Sequence, residues 1–150
     1  MSLEITINND IKEAMFARDK RKLSALRAIK AALLLEKTGS GVGSVEVPES
    51  IELKLLQKLV KQRKESAIIY EEQNRAELAE EEIYQISIIE KYLPEQISEE
   101  EITQIIKNIV DETGASTMKD MGRVMGMASK QLAGKGDNKT VSSIVKKLLM

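Results

Sequence analysis

SEEEITQIIKNIVDETG (residues 98–114) carries a helix signature from cap to cap. Ile102, Ile105, Ile106, Ile109 and Val110 follow a 3-1-3-1 spacing that lines one side of an α-helix and matches no strand. Ser98 with Glu101 three residues on forms a capping box, and acids at 99–101 lie where the helix dipole favours negative charge. Gly114 supplies the left-handed residue that closes such a helix. Downstream, Thr117 opens a helix over about 117–132, Gly134-Lys135-Gly136 breaks it, and Asp137 caps a last helix bearing Val141, Ile144, Val145, Leu148 and Leu149.

Upstream, YLPEQIS (92–98) is a boundary, because Pro94 stops one helix just before Ser98 starts another. Before it the periodicity predicts helices at about 3–18, 20–37, 48–73 and 74–92. Pro48 suits the first turn of the third, and Asn74 with Glu77 resembles a capping box for the fourth. GSGVGSVEVP (39–48) reads as a mobile loop. The fold class is therefore all-α. A four-helix N-terminal unit (1–93) and a three-helix C-terminal unit (98–150) are joined by a linker at 94–97.

Aromatics at 3% and ten Gly and Pro in 150 residues argue against an all-β sandwich or barrel. Cys, His and Trp are absent. This removes disulfides, thiol nucleophiles, Cys/His zinc sites and imidazole bases. Gly134-Lys135 is followed by Gly136 rather than Ser or Thr, so there is no Walker A loop. GSGVG does not open a helix after a strand, and no G-x-S-x-G elbow occurs. Glu80-Glu81-Glu82 point in different directions on a helix, which is poor metal geometry. No cofactor, metal site or catalytic residue is expected. The chain lacks an apolar run of membrane-spanning length and a basic-then-apolar start, so a soluble cytoplasmic protein is expected.

The net charge of −1 conceals opposed patches. Residues 114–150 hold seven basic residues against Asp120 and Asp137, whereas 71–82 hold six Glu against Arg75. On a helical wheel Lys119, Arg123, Gly126 and Lys130 fall within about 60° of one another, opposite Met118, Met121, Met125, Ala128 and Leu132. A basic rib missing a side chain at Gly126 suits a phosphodiester backbone: the cations neutralise phosphates and the absent Cβ permits close approach. The Gly134-Lys135-Gly136-Asp137 loop and the start of the last helix would add backbone N–H donors. Lys139 and Lys146 share the face away from that helix's apolar stripe. The alternative readings are a solvated Lys/Arg face, and helix packing for Gly122-x-x-x-Gly126. For the methionines the core reading competes with an adaptable partner-binding surface. Arg27, Lys30 and Arg63 lie within or beside apolar faces, which implies either interhelical ion pairs with Glu residues at 77–90 or a second cationic cleft. Lys54, Lys58 and Lys61 share a polar face and read as solvated. Scattered aromatics offer no base-stacking platform, so RNA would be read by shape and backbone.

LSALRAIKAAL (23–33), KQRKESAIIYEEQNRAELAEEE (61–82), IIEKYLPEQISEEEI (88–102) and DMGRVMG with GKGDNKTVSSIV (120–126 and 134–145) resemble the YqeY (GatB/YqeY) family. That family is related to the tail domain of the aspartyl/glutamyl-tRNA amidotransferase B subunit. The resemblance spans essentially the whole chain. It implies an all-helical two-part fold and a non-catalytic tRNA-binding role, with the C-terminal part gripping tRNA. The matching residues are Gly122, Val124, Met125, Gly126, Lys130, Gly134, Lys135, Asp137 and Val141; Gly136 and Ser129 stand where the family tends to Ala and relatives often have Pro. Two alternatives remain: a part in carbon–nitrogen ligation with glutamine as amide donor, and a helical protein–protein adaptor. A protein partner in aminoacyl-tRNA metabolism fits the resemblance, and neither membrane nor DNA is expected as a partner.

Overall fold

Helix caps set the clearest element boundaries in the computed structural model, which describes residues 2–39 and 47–150. Among them are α1 (Leu3–Phe16), α2 (Lys20–Gly39), α3 (Glu49–Glu72), α4 (Ala76–Glu90), α5 (Glu99–Thr113), a 3-10 turn (Met118–Asp120), α6 (Met121–Gln131) and α7 (Asn138–Leu149). The described residues form no strand, so the fold is all-α. Most of the loop predicted at 39–48 lies outside the described residues.

Ser2 caps α1 by accepting from the Ile5 N–H, and Ser98 caps α5 by accepting from the Glu101 N–H at 3.2 Å. Gly114 closes α5 with φ 69°, a value glycine adopts without a Cβ penalty. Pro48 is the N-cap residue of α3, its carbonyl accepting from Ile51 and Glu52. Asn74 plays a different part from the predicted cap. It sits at φ 59° in the α3–α4 turn, while Arg75 is the N-cap residue and its Nε donates to Glu77 at 3.1 Å. Asparagine tolerates the left-handed region because its short amide can bond locally, and that preference outweighs the cap here.

The chain divides into two compact units, Met1–Leu93 and Pro94–Met150. In the first, Ile7, Ala14, Leu26, Ile29, Leu33, Leu56, Val60, Ile86 and Ile89 lie in one apolar cluster drawn from all four helices. Polar bonds tie the helices at the rim. Lys37 Nζ meets Glu4 at 2.6 Å, Glu52 accepts from the Leu3 N–H, and the Tyr92 hydroxyl donates to Asp10. Arg21 pairs with Glu81 at 3.1 Å and its guanidinium stacks 4.0 Å from the Tyr84 ring centre.

In the second unit Ile102, Ile106, Ile109, Val124, Ala128, Leu132, Val141, Ile144, Val145 and Leu149 form a separate cluster. Residues 94–97, which the sequence presents as a linker, are grouped with this unit. The Ile97 N–H donates to the Lys135 carbonyl at 3.1 Å, the Gln96 amide donates to the Gly134 carbonyl, and Ile97 packs on the cluster. This strap pins the Gly134–Gly136 turn to the start of α5. Among the described residues every buried side chain is apolar.

Candidate nucleic-acid interface

α6 presents two faces. Val124 and Ala128 are fully buried, with Met121, Met125 and Met127 packed beside them. Gly122, Arg123, Gly126 and Lys130 face outward. A Cβ placed at Gly122 or Gly126 would meet nothing within 4 Å, so among the described residues nothing packs against these two positions. Each glycine therefore weakens α6 by up to roughly 1 kcal/mol relative to alanine without serving packing among the described residues. What they leave is a strip of bare backbone between cations.

Lys119 lies in the 3-10 turn rather than on α6, so only Arg123, Gly126 and Lys130 of the predicted rib share a regular helix face. The cause is Asp120. Its Oδ2 accepts from the Ser116 N–H at 3.1 Å and the Thr117 N–H at 3.5 Å, tightening the chain into one turn before α6 begins. The same carboxylate pairs with Arg123 at 3.3 Å, and Arg123 also donates to the Thr113 carbonyl at 3.3 Å. One rib cation is thus partly neutralised. Asp120 was legible three residues before Arg123, an i,i+3 pair that the wheel reading passed over. Met118, predicted for the core, is 42% exposed in that turn, whereas Val124, absent from the predicted stripe, lies at the centre of the cluster.

Lys119, Lys130, Lys135, Lys139, Lys146 and Lys147 are all exposed and form no ion pair with any described residue. Lys139 and Lys146 lie on the outer face of α7, whose inner face carries Val141, Ile144, Val145 and Leu149. Lys146 and Lys147 occupy the last turn of α7, where cations also complement the helix dipole. The Gly134-Lys135 turn differs from the expected donor loop. The Lys135 N–H is spent on the Leu132 carbonyl at 2.9 Å and both turn carbonyls on the strap, so Lys135 contributes its side chain and not its amide. Gly134 has φ 74°, and Gly136 is buried where a Cβ would come 2.8 Å from Ile102 Cδ1. That atom is the movable end of the Ile102 side chain, so a larger residue at 136 requires Ile102 to shift.

The other predicted charged cluster comes apart. Arg27 is exposed, Lys30 is half-buried, and neither pairs with a described acid. Arg63 donates to Gln85 Oε1 at 2.9 Å and to the Leu59 carbonyl at 3.1 Å. The predicted Glu partner is replaced by a neutral amide, which suffices because Arg63 keeps part of its hydration. Among the described residues, no three acidic side chains converge as metal ligands. No described helix is long and apolar enough to cross a membrane.

The family profile described as Yqey-like protein matches residues 4–149, almost the whole chain. The chain belongs to the YqeY family. Among curated relatives, this YqeY-family chain is 46% identical over 54 residues to the E subunit of the glutamyl-tRNA(Gln) amidotransferase of Methanobrevibacter smithii, a match covering 33% of the chain and 9% of that relative. It is 31% identical over 126 residues to altered inheritance of mitochondria protein 41, mitochondrial, of Clavispora lusitaniae, covering 82% of the chain and 69% of the relative. The protein of the same name from Pyrenophora tritici-repentis is 27% identical over 145 residues, covering 93% and 77%. The chain thus spans a small part of the amidotransferase relative and most of the two mitochondrial proteins.

Proposed function

We propose that the C-terminal unit is a non-catalytic module that grips the backbone of folded RNA, tRNA being the partner. The observation that carries this reading is the open surface at Gly122 and Gly126, flanked by exposed lysines, where no described residue packs against either glycine. Phosphates approach such a strip closely while ammonium groups neutralise them. The amidotransferase relative, whose name specifies a glutamyl-tRNA, supplies the class of RNA.

The test measures retention of total tRNA by the full chain at rising salt. Binding falls with a log–log slope of roughly −0.7 to −0.9 per phosphate neutralised. Lys119→Ala with Lys130→Ala and Lys135→Ala flattens that slope by roughly two to three and weakens binding at low salt. Gly126→Leu leaves every charge in place and fills the notch. It should weaken tRNA binding by about tenfold or more, the effect of losing roughly 1.4 kcal/mol of close backbone contact, without lowering thermal stability. Salt-insensitive retention, equal in all three proteins, refutes the proposal.

A further inference from the structure

α3 bears a second pattern beside its buried stripe. Lys54, Lys58, Lys61, Glu65, Ile68 and Glu72 recur at spacings of four, three, four, three and four, within an arc of about 80° on the helix. All six are exposed. None of the five charged members forms an ion pair with a described residue, and Lys61 and Glu65 remain unpaired although they stand four apart on one helix. The charges are also segregated, basic in the first half of the stripe and acidic in the second. Turned end for end about residue 63, the stripe maps onto itself: Lys54 faces Glu72, Lys61 faces Glu65, and Lys58 faces Ile68. A solvated face has no need of that register.

An apolar groove runs along one flank of the stripe. Between α2 and α3 a space of about 450 Å³ is lined by Ala32, Leu35, Ile51, Leu55 and Leu59, with Lys54 and Lys58 among its borders. Leu35 is 73% exposed there, while Ile68 and Ile69 at the far end of α3 are each 55% exposed. Ile69 lies on the same flank of α3 as Ile51 and Leu55, so the end-for-end operation that matches the charges carries it to the groove mouth of another copy.

We propose that α3 is a self-association surface, on which two copies pair their α3 helices antiparallel about a two-fold axis near residue 63. The contact is isologous, each copy giving its acidic isoleucine-bearing end and receiving its partner's in the lysine-bordered groove. Apolar burial of Leu35, Ile68 and Ile69 supplies attraction. The exposed ion pairs add little energy but favour the register, because a parallel arrangement sets like charges against each other and a one-turn shift of the axis to residue 61 or 65 sets Lys61 or Glu65 against its own copy. This inference is independent of the RNA reading.

Light scattering on the full chain, from micromolar to near-millimolar concentration, tests it. Wild type shows an average mass rising with concentration toward twice the 16.8 kDa of one chain. Lys54→Glu with Lys58→Glu and Lys61→Glu, and separately Glu65→Lys with Glu72→Lys, each self-associate more than roughly tenfold more weakly, since like charges now face one another. An equimolar mixture of the two variants recovers the two-chain mass, because the reversed residues 54 and 61 meet the reversed residues 72 and 65, while residue 58 still faces Ile68. A wild type that stays at single-chain mass throughout, variants that pair as wild type does, or a mixture that fails to recover would each overturn the proposal.

Discussion

Tyr92 closes the N-terminal unit by reaching back from the end of α4 to Asp10 on α1, a separation of 82 residues. Burial, then the Asp10 hydrogen bond and the charge of that carboxylate, push the phenol pKa above the ordinary tyrosine range. A raised folded pKa means the neutral phenol contributes its stability in full below the unfolded value of about 10 and loses it as pH climbs through the folded value. The wild type should therefore lose stability in alkali. Tyr92→Phe should cost about 1 kcal/mol at pH 7 and show a shallower decline above about pH 10, measured by urea unfolding at both ends of that range. An equal alkaline decline in the two proteins would detach the effect from Tyr92. Asp120 is the corresponding residue of the C-terminal unit: one carboxylate both shapes the turn before α6 and moderates Arg123.

At the scale of single helices, the exposed glycines of α6 invite a direct measurement. Gly126→Ala should raise stability by about 0.5–1 kcal/mol, and Gly122→Ala by less because it lies in the first turn. Thermal unfolding of the two variants checks the sign, and destabilisation by either would mean that the glycine serves the fold. α5 was fully legible in advance, since Ser98, Glu101, the isoleucine spacing and Gly114 agree on one element. The α3–α4 turn was not. Asn74 is equally good as a cap and as a left-handed turn residue, and tertiary placement of the two helices chose the second. Thr117 caps the helical segment leading into α6 as its sequence indicates, but the first turn is 3-10 rather than α, because a local hydrogen-bond pattern at Asp120 overrides the apolar period at Met118. The lysines of the candidate interface were legible as a cluster. Arg63 with Gln85 was not, because a wheel places a cation against a neighbouring helix without saying which polar group it finds there.

For the chain as a whole, the unit boundary falls between Leu93 and Pro94, and the strap belongs to the C-terminal unit. A fragment of residues 94–150 should fold with a cooperative thermal transition. One starting at residue 98 loses the Gln96 and Ile97 hydrogen bonds and the Ile97 packing, and should be about 2–3 kcal/mol less stable. Equal melting of both fragments would show the strap to be incidental. The near-neutral net charge is likewise a whole-chain quantity that describes neither patch. An acidic segment at 71–82 and a basic one at 114–150 cancel in the total while remaining distinct in sequence. The two apolar clusters draw their members from residues 3–93 and 97–149 without overlap. During synthesis, the first cluster has every side chain it needs once Leu93 has left the ribosome, so the leading half can collapse and bury its leucines while the trailing half is still being polymerised.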